Sequence, residues 1–382
     1  MIDPKEWSLI DKLARKGELK AESIAKELSI SKSLANKLIW AFNVGFTPIF
    51  LPERKFAKID MKKLLSFLKR ENRTVTDISD KFKLSTDEVI ELIKYIGLLK
   101  YNVTLNDNTV ILDRSFATGK LDLYNKGERE IRVGFVSDQH LGSHWERRDV
   151  LDAAYAHFHN KGINIVFNSG NWIEGEARFN KQDVKVHGMT PQINYCAANY
   201  PYYPEIKTYF VSGDDHEGWY AQREMFNIGD ALQSARENLG RYDMKHLGYV
   251  EADIIITSKE NGWDNDQMLR LAHPGGGSSY ATSYAFQKIV ESFQGGEKPA
   301  IYAGGHFHKA IYFQYRNVHI FGIPGMQDQS IFGRKQKIEF QVGFVDASFF
   351  INEAGLITSV TPRYHMYYDR GFYTKKTKFQ RY

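Results

Sequence analysis

Five short polar clusters, in fixed order and each directly after a run of apolar residues, constrain this chain more than any other feature. They are Asp138-Gln139-His140, Gly170-Asn171, Asp215-His216-Glu217, His273 and Gly305-His306-Phe307-His308. The runs before them are Ile131 to Val136, Ile163 to Phe167, Thr208 to Val211, Met268 to Leu271 and Ala300 to Ala303. Their length and apolar content predict buried β-strands. A sheet whose strands end in His, Asp and Asn gathers ligands from distant sequence onto one rim.

The residue types then narrow the chemistry. A lone His beside a strand is usually packed or solvated, and any one of these patterns arises readily by chance; five in order do not. Two divalent cations about 3.5–4 Å apart take roughly seven or eight protein ligands and leave positions for water and phosphate. Imidazoles with carboxylate and amide oxygens suit manganese, iron or zinc better than calcium. We expect two divalent ions, Mn2+ foremost, with Mg2+, Fe2+ and Zn2+ as alternatives. Cys196 is the only cysteine, so thiolate zinc sites and disulfide frameworks are excluded. Phosphate-ester hydrolysis is the reaction such a pair of cations supports.

The stretch Phe135-Val136-Ser137-Asp138-Gln139-His140-Leu141-Gly142, with Gly213-Asp214-Asp215-His216-Glu217 and Gly305-His306-Phe307-His308, resembles the calcineurin-like metallophosphoesterases. Its Ser-Asp-x-His-Leu-Gly form is most similar to the Mre11/SbcD-type DNA nucleases and to phage-encoded DNA-repair exonucleases. The resemblance spans residues 129–351 and implies an α/β fold, a four-layer αββα metallophosphoesterase sandwich. It implies that Asp138, His140 and His308 hold one metal, that Asp215, His273 and His306 hold the other, and that Asn171 stands at the bridge. His216 matches the family histidine that contacts the scissile phosphate and assists the leaving oxygen. Glu217 or Asp214 would orient its imidazole. Glu174 is a spare carboxylate near the site or a solvated one.

Two positions depart from the family pattern. Asn171 stands where a bridging aspartate is usual, and Asp215 where an asparagine is usual. An amide brings no charge to a bridge and only one good donor oxygen. The two exchanges cancel in summed charge, which favours a rearranged working site over an inactivating substitution or a natural pseudoenzyme.

Outside the clusters, the formal charge of +5 is unevenly placed: residues 1–128 carry 23 basic and 18 acidic side chains, and the rest balances. Gly17 to Ile39 and Glu71 to Ile93 read as two copies of a helix-turn-helix unit, with Ser31 and Ser85 as N-caps of the second helices. Preceding helices over Glu6 to Arg15 and Met61 to Arg70 complete each unit. Leu98 to Val103 and Thr109 to Leu112 alternate around Asn106-Asp107-Asn108 as a hairpin, so the front resembles tandem winged-helix modules. Lys32 and Lys37 suit a phosphate backbone, whereas Asp87, Glu88 and Glu91 would be repelled by it. DNA is therefore expected on the first module and a protein or intramolecular contact on the second, with structural spacers as the alternative.

Between Gly175 and Pro204 aromatics and amides are frequent, among them Phe179, Asn180, Tyr195, Tyr200, Tyr202 and Tyr203, with Trp172 just ahead. They would stack on bases or pack a helical insertion. His273-Pro274-Gly275-Gly276-Gly277 brings a flexible loop beside a ligand. The end mixes Arg363, Arg370, Lys375, Lys376, Lys378 and Arg381 with aromatics, to line a nucleic-acid path or dock on the body.

The expected organisation is a helix-turn-helix module over 1–58, a winged-helix module over 59–128, the metallophosphoesterase domain over 129–362 and a basic aromatic tail over 363–382. The expected function is metal-dependent hydrolysis of DNA phosphodiester bonds, single- or double-stranded. The alternatives are a small-molecule phosphatase or cyclic-nucleotide phosphodiesterase, and a non-catalytic DNA-binding or polymerase-associated subunit. No stretch has the length of a membrane span, and the opening residues lack the character of a secretory signal. A cytoplasmic protein, host-acting if phage-encoded, is expected.

Overall fold

The computed structural model describes residues 59–112, 119–123 and 129–368 except 278, 280, 295 and 297, with 20–28 and a few single positions before them. The chain divides into two compact units, residues 1–113 with 238–240, and the remainder.

In the first unit, Leu64, Leu65 and Leu68 form the buried face of the helix Met61–Arg70, which Asp60 caps by accepting from the Lys63 amide at 3.1 Å. Two further helices, Val75–Phe82 and Thr86–Leu98, each begin with a reciprocal capping box, Thr74 with Asp77 and Ser85 with Glu88. Strands β1 (Arg73–Thr74), β2 (Val103–Asn106) and β3 (Thr109–Leu112) form a sheet in the order β1-β3-β2. The hairpin turn is where the sequence placed it, with Asp107 at φ +53°, but its first arm starts at Val103 because the helix continues through Leu98. Asp87 and Glu88 lie in the first turn of their helix, where the dipole and the open amides stabilise negative charge. Their acidity has a local structural cause. Of the first repeat, the helix Ala21–Glu27 is described, and Lys32 is exposed in an ion pair with Glu22 at 2.5 Å. Ser31, Lys37 and nearly all of the helix expected over Glu6 to Arg15 lie outside the described residues.

The second unit holds twelve strands among its described residues: β4 (Gly119–Asp122), β5 (Glu130–Val136), β6 (Ile165–Asn168), β7 (Lys207–Ser212), β8 (Met244–Tyr249), β9 (Glu251–Thr257), β10 (Gln267–Ala272), β11 (Ile301–Gly304), β12 (Ile311–Tyr315), β13 (Val318–Gly322), β14 (Val342–Ile351) and β15 (Ile357–Tyr367). One sheet runs β15-β14-β5-β6-β7-β8 and the other β12-β13-β11-β10-β9-β4. Strands β5 to β8 are mutually parallel, as are β10, β11 and β13.

Alternate residues of both sheets point into one shared core. Val133, Phe135, Phe167, Val211 and Val345 meet Ile254, Leu269, Leu271, Ala303 and Phe321 in a single buried cluster. The Phe135 ring spans the seam, 5.8 Å from Phe167 and 5.3 Å from Phe321. On the outer face of the first sheet lies the helix Arg148–Asn160, whose Phe158 comes so close to Gly134 that a Cβ there would sit 2.6 Å from the ring. On the other sheet, Phe286 and Val290 of the helix Tyr284–Ser292 pack on Tyr302, Val318 and Ile320. The layers run helix, sheet, sheet, helix, the order the resemblance implied.

Two boundaries move. Strand β4 pairs with β9, Leu121 opposite Ile254, so the sandwich begins before residue 129. Strand β15 runs to Tyr367, so Arg363 and its neighbours are sheet, not tail; Arg370 and the basic residues after it lie outside the described residues. Among the described residues no helix is long and apolar enough to cross a membrane.

Candidate metal centre

Parallel strands β5, β6, β7, β10 and β11 end at the same edge of the sandwich, and the five clusters lie in the turns that follow. Those turns are tight. Asp138, His140, Asn171, His306 and His308 all adopt positive φ, between +46° and +71°. Asp, Asn and His tolerate this region better than other side chains, but five together require support. Backbone bonds supply it: the Asp138 amide donates to Gly170 O at 2.9 Å, His140 to Asn171 O at 3.0 Å, and Leu141 to Trp172 O at 2.9 Å. The β5–β6 pairing thus continues through both turns.

The structure brings the predicted ligands into two adjoining groups. Donor atoms of Asp138, His140 and His308 lie within 4.8 Å of one another, as do those of Asp214, Asp215, His273 and His306. Asn171 stands between them, its Nδ2 3.0 Å from Asp215 Oδ1 and 3.4 Å from Asp138 Oδ1.

Tautomers are set from behind. His273 donates from Nδ1 to Ser169 O at 2.6 Å, which leaves Nε2 facing Asp215 Oδ1 at 3.6 Å. His306 donates from Nε2 to Gly276 O at 2.7 Å, which leaves Nδ1 facing Asp215 Oδ2 at 3.5 Å. Both free nitrogens are buried and without a hydrogen bond, as are both nitrogens of His140, Nδ1 of His308 and Oδ1 of Asn171. Buried polar atoms are nearly always satisfied, so this concentration on one rim needs an explanation. Divalent cations would account for His140 Nε2, His273 Nε2 and His306 Nδ1, which face the carboxylates of Asp138 and Asp215 as ligand nitrogens do. The residues present fit two ions.

Electrostatics agree. Burial alone would lower the His140 imidazole, but Asp138 and Glu174 push it up to about 10. Burial likewise opposes charge on His273, and Asp138 and Asp215 raise it to about 9. Burial works against the Asp138 carboxylate too, yet His308, His140 and His273 hold it well below the ordinary range. Asp215 is held down in the same way by His216, His273 and His306. A field that favours a proton on these rings favours a divalent cation in its place.

Several roles differ from expectation. His216 is oriented by neither Glu217 nor Asp214: its Nδ1 donates to the backbone carbonyl of Glu174 at 2.7 Å, with Asn180 Nδ2 at 3.4 Å. Glu217 is buried beneath the turn, accepting from the amides of Gly213 at 2.7 Å and Trp172 at 2.8 Å. Asp214 joins the Asp215 group, with Gly275 packed so close that a Cβ would lie 2.3 Å from its carboxylate. Glu174 is not solvated. It is buried between His140 Nδ1 at 3.2 Å and His216 Nδ1 at 3.7 Å, and accepts from Asn180 at 3.0 Å and Gln327 at 2.9 Å.

Gln327 and Val250 carried no sequence signal. Val250, a β-branched residue at φ +67°, accepts the His273 amide at 2.6 Å and so fixes that ligand's backbone. Of the aromatics, Trp172 and Tyr200 pack together in the interior at 4.8 Å. Phe179 stands edge-on to His216 at 5.4 Å and against Phe332 at 5.0 Å.

A cavity of about 420 Å³ opens beside the rim, lined by His140, Asn171, Asp215, His216, His306 and His308 with Asn180, Gln327, Gln336, Phe332 and Phe340. Phe340 stacks on His308 at 4.2 Å. Among the described residues, no lysine or arginine lines it.

No protein-family profile matches the chain, and no curated protein does. Solved structures similar to part of it include a novel archaeal phosphodiesterase (11% identity, 62% of this chain and 100% of that one, TM-score 0.33). Others are the phosphoesterase Yfce from E. coli (12%, 60% and 98%, TM-score 0.31) and the zinc complex of Vps29 from Entamoeba histolytica (13%, 62% and 99%, TM-score 0.29). Likenesses this faint bring neither an activity nor a substrate to this chain.

Proposed function

We propose that this chain is a metal-dependent phosphodiesterase that cleaves DNA. The carrying observation is the rim of buried imidazole nitrogens without hydrogen bonds, beside a cavity that no described lysine or arginine lines. A phosphomonoester dianion is usually met by such cations as well as by metals, whereas a diester carries a single charge. The phenylalanine walls formed by Phe332 and Phe340 suit a base or another flat ring.

Asp138, His140 and His308 would hold one ion, Asp215, His273 and His306 the other, with Asp214 beside the second and Asn171 between the two. Bound there, the ions would acidify water and offset charge on the phosphoryl oxygens. His216, its Nδ1 committed to the Glu174 carbonyl, presents Nε2 to the cavity. A proton held on that nitrogen is placed to pass to the departing ester oxygen. Glu174 is a positioning residue, fixed by Asn180 and Gln327 where it faces both His140 and His216.

For the front unit, three helices with a short strand and a hairpin support a winged-helix reading for residues 61–112, and DNA contact is proposed for the first repeat, where Lys32 would exchange its Glu22 partner for a phosphate. The cavity also suits a cyclic nucleotide. Asn171, whose amide nitrogen faces both carboxylates, is the observation behind a second, non-catalytic reading.

The test is a panel: labelled single- and double-stranded DNA and RNA, a cyclic nucleotide, and aryl phosphate mono- and diesters, with Mn2+, Mg2+, Zn2+ or chelator. Cation-dependent cleavage of DNA and of the aryl diester over the monoester is the expected result. Preference for the monoester, or cleavage of the cyclic nucleotide alone, overturns the DNA reading; no turnover with any cation overturns the enzymatic one.

A further inference from the structure

Away from the rim, on the outer face of the first sheet, a second cluster of imidazoles closes on one carboxylate. Asp346 lies in the middle of β14, its side chain on the face opposite to Val345 and Ala347, which enter the core. His365 stands on β15, paired with Phe344, and His157 comes from the last turn of the helix Arg148–Asn160. Both rings point Nε2 at the same oxygen: His157 at 3.0 Å and His365 at 2.6 Å from Asp346 Oδ2.

We propose that His157, Asp346 and His365 form a separate structural site for a zinc-class divalent cation. Three donors from three elements lie within 4.8 Å of one another. In a tetrahedral zinc site with bonds near 2.0–2.1 Å, donors stand about 3.3 Å apart, so a small opening of the two short contacts seats the ion.

The rings are held for it. His365 stacks on Phe344 at 4.5 Å with an interplanar angle of 13°, and His157 meets the same ring at 5.5 Å. Asp346 is buried, while His157 and His365 have 21% and 30% of their side chains exposed, which leaves an open side for water as the fourth ligand. The other carboxylate oxygen, Oδ1, is taken by Arg363 Nε at 3.2 Å. That guanidinium offsets much of the carboxylate charge and leaves one oxygen. Mg2+ and Ca2+, which need several oxygens, are thereby disfavoured, and binding rests on two imidazoles, a set suited to Zn2+. Such an ion would tie the helix, β14 and β15 together.

The competing role is a plain hydrogen-bond clamp, with both imidazoles donating from Nε2 to Asp346 and no metal bound. To separate the two, full-length protein stripped by chelator is reloaded with Zn2+, passed through a desalting column and analysed for metal content. His365→Ala, chosen because the ring is partly exposed on a strand at the sheet edge, is compared with wild type and with the rim variant His308→Ala. The expected result is one Zn2+ equivalent fewer in His365→Ala, with its metal-dependent cleavage unchanged. His308→Ala should lose metal from the rim and keep the outer equivalent. Equal zinc content in wild type and His365→Ala overturns the proposal. Zinc-edge anomalous diffraction from wild-type crystals is a check that needs no variant: a peak bonded to both Nε2 atoms and Oδ2 supports the site, and its absence while the rim is occupied rejects it.

Discussion

The core between the sheets and the rim at their ends are separated by a few residues on the same strands, yet they treat burial in opposite ways. Phe135 and Asp138 are both 0% exposed. Phe135 is surrounded by rings and aliphatic chains that gain from leaving water, whereas Asp138 is charged, backbone-strained at φ +52° and set among imidazoles. The same contrast recurs between Leu271 on β10 and His273 just after it, and between Ala303 on β11 and His306 in the turn that follows. Burial in the core stabilises the fold; burial at the rim holds donors ready for something else, at a cost the core offsets.

Substitutions should therefore separate by region. His308→Ala should lower metal-dependent cleavage by about 10²–10³-fold, the scale of removing one electrostatic group from a preorganised site. Its melting temperature should stay within a few degrees of wild type, since Nδ1 of this ring holds no hydrogen bond. Phe135→Ala should do the reverse: about 3–5 kcal/mol of stability lost in denaturant unfolding, with cleavage per folded molecule little changed. If His308→Ala proved as destabilising as Phe135→Ala, the division would fail.

The reasons some features were legible in the sequence and others not are physical. Strands showed because buried parallel strands are continuous apolar runs, and the rim showed because His, Asp and Asn at strand ends have few other uses there. Which way adjacent residues point in an irregular turn is not encoded locally. Hence Asp214 and Glu217, neighbours of His216, turned out to serve the Asp215 group and the Gly213 and Trp172 amides. Glu174, Asn180 and Gln327 meet across up to 153 positions of sequence, and no periodicity reports such a contact. The hairpin arm was placed too early because Leu99, Tyr101 and Val103 alternate with Lys100 and Asn102 like a strand, although the helix runs through Leu98 and the strand begins only at Val103.

Within the rim, smaller changes sharpen the comparison. Glu174→Gln keeps the shape but removes the charge between His140 and His216. Turnover should fall by about 10–100-fold, with partial rescue by Glu174→Asp and a displaced pH–rate profile. A purely structural role would leave that profile unmoved. Asn171→Asp places a third carboxylate between Asp138 and Asp215. It should tighten metal binding by roughly tenfold, on the scale seen for single outer-sphere groups, and destabilise the metal-free protein by like-charge repulsion. Cleavage by both chains marks the native site as a working rearrangement; cleavage by the variant alone marks Asn171 as inactivating.

The pH dependence of the metal-free protein probes the same division with no change of substrate. His140 and His273 are raised in the folded state to about 10 and about 9, above their ordinary 6.5. Their contribution to stability is therefore complete below pH 6.5 and is lost as pH rises through 9 to 10. Asp138 and Asp215, held well below 3.8, act in the opposite sense: their contribution is complete above pH 3.8 and is lost only in acid. Chelator-treated protein should accordingly melt at progressively lower temperature from pH 6.5 to 10. Saturating divalent cation should flatten or reverse that slope, because each displaced proton strengthens metal binding by up to about tenfold per pH unit. Phe135→Ala should shift the whole curve down and leave its slope intact, whereas His273→Gln should flatten it. A chelated wild type whose melting temperature is level across this window would mean that the rim imidazoles gain no charge on folding, and that the core and the rim differ less than their geometry implies.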